Sequence, residues 1–159
     1  MKSFQIILIL LICAGLQAQV KNDAVLPKGV YFIVNGNGEA IEPLGPTLAN
    51  NVFLEKFNKS GMQKWEVIPQ KDGSYVFKLY DSEFYLAPHP AGERTAWLDS
   101  SKSAYKIEAV SGSDKHWHIK SKARKGDAMR SYSAGTITEI RFEPAEDDKK
   151  FRWEFVLAE

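Results

Sequence analysis

Short segments that alternate apolar with polar residues follow one another along the chain, separated about every ten residues by proline, glycine or Asn/Asp/Ser clusters. Alternation with a period of two puts the apolar side chains on one face of a strand, so the pattern predicts an all-β fold. The apolar segment 30–34 and the following Asn-Gly-Asn-Gly of 35–38 predict a β-hairpin. No segment shows three turns of helical periodicity with capping residues.

The strand-like segments form an internal repeat of about 40 residues, present three times. Each unit opens with an aromatic residue followed two positions later by another apolar residue, has an apolar position in its middle, and closes with an aromatic residue. The opening pairs are Tyr31/Ile33, Tyr75/Phe77 and Trp117/Ile119; the middle positions are Leu54, Trp97 and Phe142; the closing residues are Trp65, Tyr105 and Trp153.

Three units of four strands predict a β-trefoil, in which six strands close a barrel and three hairpins cap its base. Closure removes the exposed edges that an open sheet would present. The closing residues Trp65, Tyr105 and Trp153 are therefore expected to meet in the core. Of the repeated aromatic residues, Trp97 is the one expected to have a chance of facing a ligand.

The first eighteen residues have the pattern of a secretory signal peptide. Lys2 supplies the positive start, the segment 6–15 is almost entirely aliphatic, and Ala18 ends a small-residue cleavage site. We expect residues 1–18 to be removed and residues 19–159 to form one domain, secreted or periplasmic. Ile12 before Cys13 is too large for a lipoprotein cleavage box, so the mature chain is expected to have neither thiol nor lipid anchor.

Removal of Lys2 with the signal leaves 20 basic and 20 acidic residues. A net charge near zero disfavours nucleic acid and anionic membranes as partners. A metal site needs three or four ligands, and the pair His116 and His118 has no third ligand nearby in sequence. Because Trp117 takes the inward position, both histidines are expected to face solvent. With no nucleophile motif either, the sequence predicts a monomeric binding protein without catalytic residues, metal or cofactor.

Part of the first unit resembles ricin-type lectins. The segment 52–65 ends in the Q-x-W motif Gln63-Lys64-Trp65. The resemblance implies that Glu42 and Asn58 hold sugar hydroxyls, while the position that would stack on the sugar ring falls at Glu55. For Gln63 the sequence leaves two roles open, a contact with sugar or a hydrogen bond that stabilises the turn.

Most of the chain, from Leu26 to Leu157, resembles the β-trefoil serine protease inhibitors first known from mushrooms. The resemblance is carried by segments 64–67, 72–75, 84–86, 96–100 and 105–110, and most closely by 140–145 with 153–155. It implies that a rigid surface loop enters a protease cleft. We interpret the chain as a serine endopeptidase inhibitor, with a ricin-type carbohydrate-binding module as the alternative.

Two loops are candidates for the inhibitory loop. Lys149 and Lys150 precede the last strand and suit the acidic pocket of a trypsin-like enzyme. The loop 43–50 has two prolines and offers Leu44, Leu48 or Asn50 to another specificity. A basic cluster at Lys120, Lys122, Arg124 and Lys125 is a further candidate for sulfated glycans or a trypsin-like enzyme, although short basic runs are usually solvated loops.

Processing of the chain gives the first test. The exported protein is expected to begin at Gln19, to show no reaction with thiol reagents, and to melt at the same temperature with and without reductant, because Cys13 leaves with the signal. Intact-mass and N-terminal analysis of secreted material would check this. A lipid-modified Cys13 at the new N-terminus would contradict both the cleavage site and the expected localisation.

Overall fold

A computed structural model describes residues 26–158, so the predictions for residues 1–18, including Cys13 and the cleavage site after Ala18, lie outside the described residues. The fold is all-β, as the alternating pattern predicted, and it is a β-trefoil. Two 3₁₀ turns, Gly61–Gln63 and Lys149–Phe151, interrupt it. Its twelve strands are β1 (Gly29–Asn35), β2 (Glu39–Pro43), β3 (Asn51–Lys56), β4 (Lys64–Pro69), β5 (Tyr75–Leu79), β6 (Tyr85–Pro88), β7 (Ala96–Asp99), β8 (Tyr105–Ala109), β9 (Trp117–Ser121), β10 (Asp127–Ala134), β11 (Ile137–Pro144) and β12 (Trp153–Leu157).

Six strands close a barrel by antiparallel pairing in the order β1, β4, β5, β8, β9, β12 and back to β1. The remaining strands form the three hairpins β2–β3, β6–β7 and β10–β11. These hairpins also pair with one another, through β3–β7, β3–β11 and a bridge from Thr95 to Arg141. The strands of the barrel and the strands of the hairpins thus find their pairing partners within the fold. The side chains on the outer faces of the hairpins can therefore differ from one unit to the next.

The closing aromatic residues of the three units meet in the core, where each is 0% exposed. Each donates a hydrogen bond from its polar atom to a main-chain carbonyl of the second strand in its own unit. Trp65 Nε1 donates to Ile41 O at 3.1 Å, Tyr105 Oη to Leu86 O at 3.0 Å and Trp153 Nε1 to Met129 O at 2.8 Å. The prediction that these residues are equivalent core positions is confirmed, and the bonds tie each hairpin to the barrel.

The middle position of the second unit differs from the prediction by one residue. Ile41, Leu86 and Met129 face Leu54, Leu98 and Phe142 across their hairpins. Leu98, which is 0% exposed, is therefore the equivalent of Leu54, and Trp97 lies on the opposite face of β7, half-buried. The prediction chose the larger aromatic residue, whereas the two-residue period of the strand selects its neighbour.

The first hairpin turn forms where the Asn-Gly-Asn-Gly sequence predicted it. Asn35 ends β1, Glu39 begins β2, and Gly38 adopts a positive φ of 76°, a conformation that glycine reaches without strain. The buried Asn35 side chain accepts hydrogen bonds from the amides of Asn37 and Glu39, both at 3.0 Å. These bonds give the exposed turn a fixed conformation.

Truncation of one core aromatic residue tests the packing. Trp153→Ala is expected to lower the free energy of unfolding by about 3–5 kcal/mol, because it leaves a cavity in the core and removes the donor to the Met129 carbonyl. Urea denaturation would measure the change. Ile137→Ala, at a side chain that is 50% exposed, serves as the control and is expected to change stability by about 0.5 kcal/mol or less. A similarly small loss for Trp153→Ala would contradict the packing.

Candidate binding site

A cleft of about 220 Å³ lies on the outer face of the first hairpin. Glu42 on β2 and Phe53 on β3 face each other across the hairpin and both line this cleft. Asn58, in the loop that follows β3, lines it from the side. The structure thus brings together the two residues that the lectin resemblance implied, Glu42 and Asn58, and adds an aromatic ring to them.

Phe53 is the member of this group that the sequence prediction missed. The prediction placed the stacking position at Glu55, which also lines the cleft. Residues two apart on a strand share a face, so Phe53 and Glu55 point to the same side of β3. Half-buried Phe53 lies opposite Glu42, whereas Glu55 lies opposite Ala40. The register of β3 against β2, which places Phe53 opposite Glu42, is the observation that identifies Phe53.

Gln63 holds the loop that carries Asn58. Its side chain is 0% exposed, its Oε1 accepts hydrogen bonds from the amides of Asn58 at 3.0 Å and Lys59 at 3.1 Å, and its Nε2 donates to Lys56 O at 2.9 Å. Lys59 has a positive φ of 62° within this loop. Of the two roles left open by the sequence, the structure shows the turn-stabilising one, and a buried side chain has no surface with which to contact sugar.

Glu42 has hydrogen-bonding capacity that the fold does not use. Its Oε2 is shielded from solvent, and no donor among residues 26–158 bonds to it. A shielded carboxylate oxygen without a donor is uncommon, because desolvation costs free energy that a hydrogen bond normally offsets. Glu42 therefore lines the cleft with a carboxylate of which one oxygen is not hydrogen-bonded by any donor in residues 26–158.

The other two hairpins lack this combination of side chains. The position of Glu42 is taken by Ala87 in the second unit and by Arg130 in the third, and the position of Phe53 is taken by Trp97 and Arg141. Trp97 packs against the ring of His89 with centroids 4.8 Å apart. At this one pair of positions, the first hairpin alone among the three of residues 26–158 combines an acid with an aromatic ring, so the equivalent outer surfaces differ in chemistry.

The first candidate inhibitory segment has a helical conformation. Lys149 and Lys150 are exposed in the second 3₁₀ turn, where Phe151 N donates to Asp148 O at 3.0 Å and Arg152 N to Lys149 O at 3.1 Å. Asp148 Oδ1 also accepts the amide of Lys150, at 2.9 Å. The main-chain groups that an extended loop would present to a protease are engaged within the turn.

The second candidate, the loop 43–50, is exposed at its tip and held by hydrogen bonds at its end. Leu44 and Leu48 are 78% and 53% exposed. Asn50 is directed inward, since its Nδ2 donates to Gly45 O at 3.1 Å and to Thr47 Oγ1 at 2.7 Å, and its carbonyl accepts Leu98 N at 2.8 Å. Leu44 and Leu48 remain available at the surface, and Asn50 acts within the loop.

The paired histidines are less exposed than the sequence predicted. His116 and His118 are both half-buried, and Ser113 Oγ lies 2.8 Å from His116 Nδ1. Burial lowers the pKa of His118 below its ordinary value of 6.5; Lys120 adds to the shift, while Glu108 and Asp147 oppose it. The prediction treated Trp117 as fully inward, whereas Trp117 is itself half-buried like the two histidines beside it. Among residues 26–158, no group of three potential ligands could hold a metal ion.

Comparison with solved structures supports the fold. The agglutinin of Rhizoctonia solani matches with a TM-score of 0.72 and 15% identity, over 84% of this chain and 97% of that one. A ricin B-like lectin of Macrolepiota procera, solved in complex with lactose, matches with a TM-score of 0.70 and 13% identity, over 84% and 99%. At such identities the likeness shows a common fold.

A mosquitocidal holotoxin gives a TM-score of 0.77 at 11% identity, over 85% of this chain. The chain spans only 18% of the length of that toxin. No family model matches the chain, and no curated protein matches it by sequence. In residues 26–158 there is also no helix long and apolar enough to cross a membrane.

The buried position of His118 predicts a loss of stability in acid. Because its pKa is lower in the folded chain than in the unfolded one, protonation favours unfolding, and stability falls as pH drops below about 6.5. Thermal melts of the unmodified protein and of His118→Gln at pH 7 and pH 5 would check this. The variant is expected to lose less stability between the two pH values. An NMR titration placing the pKa of His118 at or above 6.5 would contradict the prediction.

Proposed function

We propose that this protein is a carbohydrate-binding β-trefoil that takes a neutral sugar in the cleft of its first unit. The observation that carries the proposal is the unbonded carboxylate oxygen of Glu42, held opposite the ring of Phe53. A sugar presents hydroxyl donors beside an apolar ring face. An acid next to an aromatic ring matches both features.

Each side chain of the cleft has a distinct role in this proposal. Glu42 accepts hydrogen bonds from two adjacent hydroxyls, since a carboxylate has several acceptor sites. Phe53 packs against the C–H face of the sugar ring. Asn58 presents its amide to a third hydroxyl, in a loop whose conformation Gln63 holds. Preorganisation by Gln63 lowers the entropy that the loop loses on binding.

The structural neighbours support a glycan as partner. They include the ricin B-like lectin solved with lactose and another β-trefoil protein solved with the asialo-GM1 saccharide. Their sites are not transferred to this chain, because identities of 13% and 14% support the fold alone. The cleft supplies the independent argument, since its acid, ring and amide come from this sequence.

Serine protease inhibition, the preferred interpretation of the sequence, has less support. No family model or sequence match connects the chain with an inhibitor family. The 3₁₀ turn at Lys149 and Lys150 also engages the main chain that an inhibitor extends into the protease cleft. We therefore propose that the protein binds glycans and does not catalyse a reaction on them. In accordance with the expected signal peptide, we propose that it is secreted or periplasmic.

Substitution of Glu42 tests the proposed site. In a glycan-array screen followed by calorimetric titration, with lactose as the first titrant, Glu42→Gln is expected to weaken binding at least tenfold, or about 1.4 kcal/mol. The amide replaces an acceptor by a donor at nearly unchanged size. Phe53→Ala is expected to reduce binding by a similar factor, through loss of the ring contact.

Glu146→Gln is the matched control, because it removes one exposed carboxylate from the third unit. It is expected to bind glycan as the unmodified protein does, and all variants should melt within a few degrees of one another. Parallel assays against trypsin, subtilisin and chymotrypsin complete the design. Inhibition of a protease by a protein that binds no glycan would overturn the proposal in favour of the inhibitor interpretation.

A further inference from the structure

A second and larger cleft, of about 340 Å³, lies where the third unit meets the first. Its walls are the turn between β1 and β2, the hairpin β10–β11 and the second 3₁₀ turn. We call it the junction cleft. Its lining includes three cationic residues, Arg130, Lys149 and Lys150, and no aspartate or glutamate. The rest of the lining is rich in hydroxyl and amide groups, among them Asn37 and Thr138.

The two lysines of the junction cleft have charges that the fold leaves unpaired. Neither ammonium group lies within 4.0 Å of a carboxylate in residues 26–158. Their main chain is nevertheless fixed, because Asp148 caps the 3₁₀ turn and buried Phe151 anchors its end. The main chain of the turn is thus fixed, and two adjacent lysine side chains extend from it.

Arg130 is fixed at the wall of the junction cleft. Its Nη1 lies 2.6 Å from Glu143 Oε2 and its Nε donates to Ser131 O at 3.2 Å. Its guanidinium also lies over the ring of Phe151, 5.4 Å from the centroid. Glu143 offsets the charge of Arg130, so the net positive charge of the cleft comes from the two lysines.

The acidic groups around the junction cleft are engaged elsewhere. Glu39 bonds Asn35 Nδ2 at 2.7 Å and Thr138 Oγ1 at 3.2 Å. Asp147 pairs with Arg152 at 3.1 Å, and Asp148 caps the 3₁₀ turn through Lys150 N. None of these carboxylates forms an ion pair with the two lysines.

The trefoil itself does not require cations at these positions. Lys149 and Lys150 lie four and three residues before Trp153, and the corresponding positions before Trp65 and Tyr105 are Gly61-Met62 and Ser101-Lys102. The corresponding segment therefore carries no charge in the first unit, one in the second and two in the third. Since the three segments precede the closing aromatic residue at the same distance in sequence, the fold does not require a pair of lysines there.

In the other basic segment of the chain, two of the four cations are paired with carboxylates. Lys120 pairs with Glu108 and Lys122 with Asp72, each at 2.6 Å. Arg124 donates to the carbonyls of His89 and Glu93. Of the cluster that the sequence suggested for sulfated glycans, most members are engaged inside the fold, which leaves the junction cleft as the better-built cationic site.

We propose that the junction cleft binds the anionic group of an acidic saccharide, a carboxylate or a sulfate, separately from the neutral-sugar cleft of the first unit. Lys149 and Lys150 bind the anion through charge-assisted hydrogen bonds, which are stronger than neutral ones. The side chains of Asn37, Ser133 and Thr138 are placed to bond the sugar hydroxyls. The site does not depend on Glu42 and stands if the first-unit cleft proves to be empty.

The test uses three probes of similar length: a heparin-derived oligosaccharide, an oligogalacturonate and a neutral dextran oligosaccharide. At least one acidic probe is expected to bind in calorimetric titration, and which of them binds identifies sulfate or carboxylate as the source of the anion. Lys149→Ala/Lys150→Ala is expected to weaken that binding at least tenfold. Binding should also weaken as sodium chloride rises from 50 to 500 mM, because salt screens exposed charges.

Lys102→Ala/Lys106→Ala is the control, since it removes the same charge from exposed lysines of the second unit. It is expected to change acidic-probe binding by less than twofold, and Glu42→Gln is expected to leave it unchanged. Equal losses in both double variants would show that only net charge matters and would overturn the proposal. So would the absence of binding to either acidic probe, or inhibition of trypsin that the Lys149→Ala/Lys150→Ala variant loses.

Discussion

Three buried hydrogen bonds join the barrel of the trefoil to its hairpins. Trp65, Tyr105 and Trp153 fill the core, and each uses its one polar atom to hold a main-chain carbonyl of its own hairpin. A buried Trp N–H or Tyr O–H without an acceptor would cost roughly 1–3 kcal/mol, so the same residues that fill the barrel also determine where the hairpins sit. Burial raises the pKa of Tyr105 well above its ordinary value, which keeps the donor protonated.

The core and the hydrogen bonds between strands stabilise the fold. The side chains on the outer faces of the hairpins therefore contribute little to stability and can differ between units. The inward-facing positions are apolar in all three units, whereas the outward-facing positions differ in chemistry. At one outward pair of positions they carry Glu42 with Phe53, Ala87 with Trp97, and two arginines, Arg130 and Arg141. The two 3₁₀ turns, in the first and third units, also differ in charge. A threefold scaffold can therefore carry two chemically distinct clefts, one lined by Glu42 and Phe53 and one lined by Lys149 and Lys150.

The inward pattern was readable from the sequence, although not without error. The alternation, the repeat of about 40 residues and the closing aromatic residues correctly indicated twelve strands in three units. Trp97 was misplaced by one residue because size was given more weight than period, although Leu98 keeps the alternation with Ala96. Phe53 was missed in favour of Glu55 for a different reason: the two residues share a face of β3, and only the pairing of β3 with β2 shows which of them lies opposite Glu42.

What the sequence determined by itself was the part that depends on neighbours close in the chain: strand alternation, the Asn-Gly-Asn-Gly turn and the recurrence of core residues. Only the tertiary structure showed that Glu42 faces Phe53, that Gln63 is buried beneath the loop of Asn58, and that Lys149 and Lys150 border a cleft with the first hairpin turn. These sites join segments brought together by strand register and barrel closure. Local periodicity tells which face a side chain occupies, but which residues lie opposite it depends on long-range pairing.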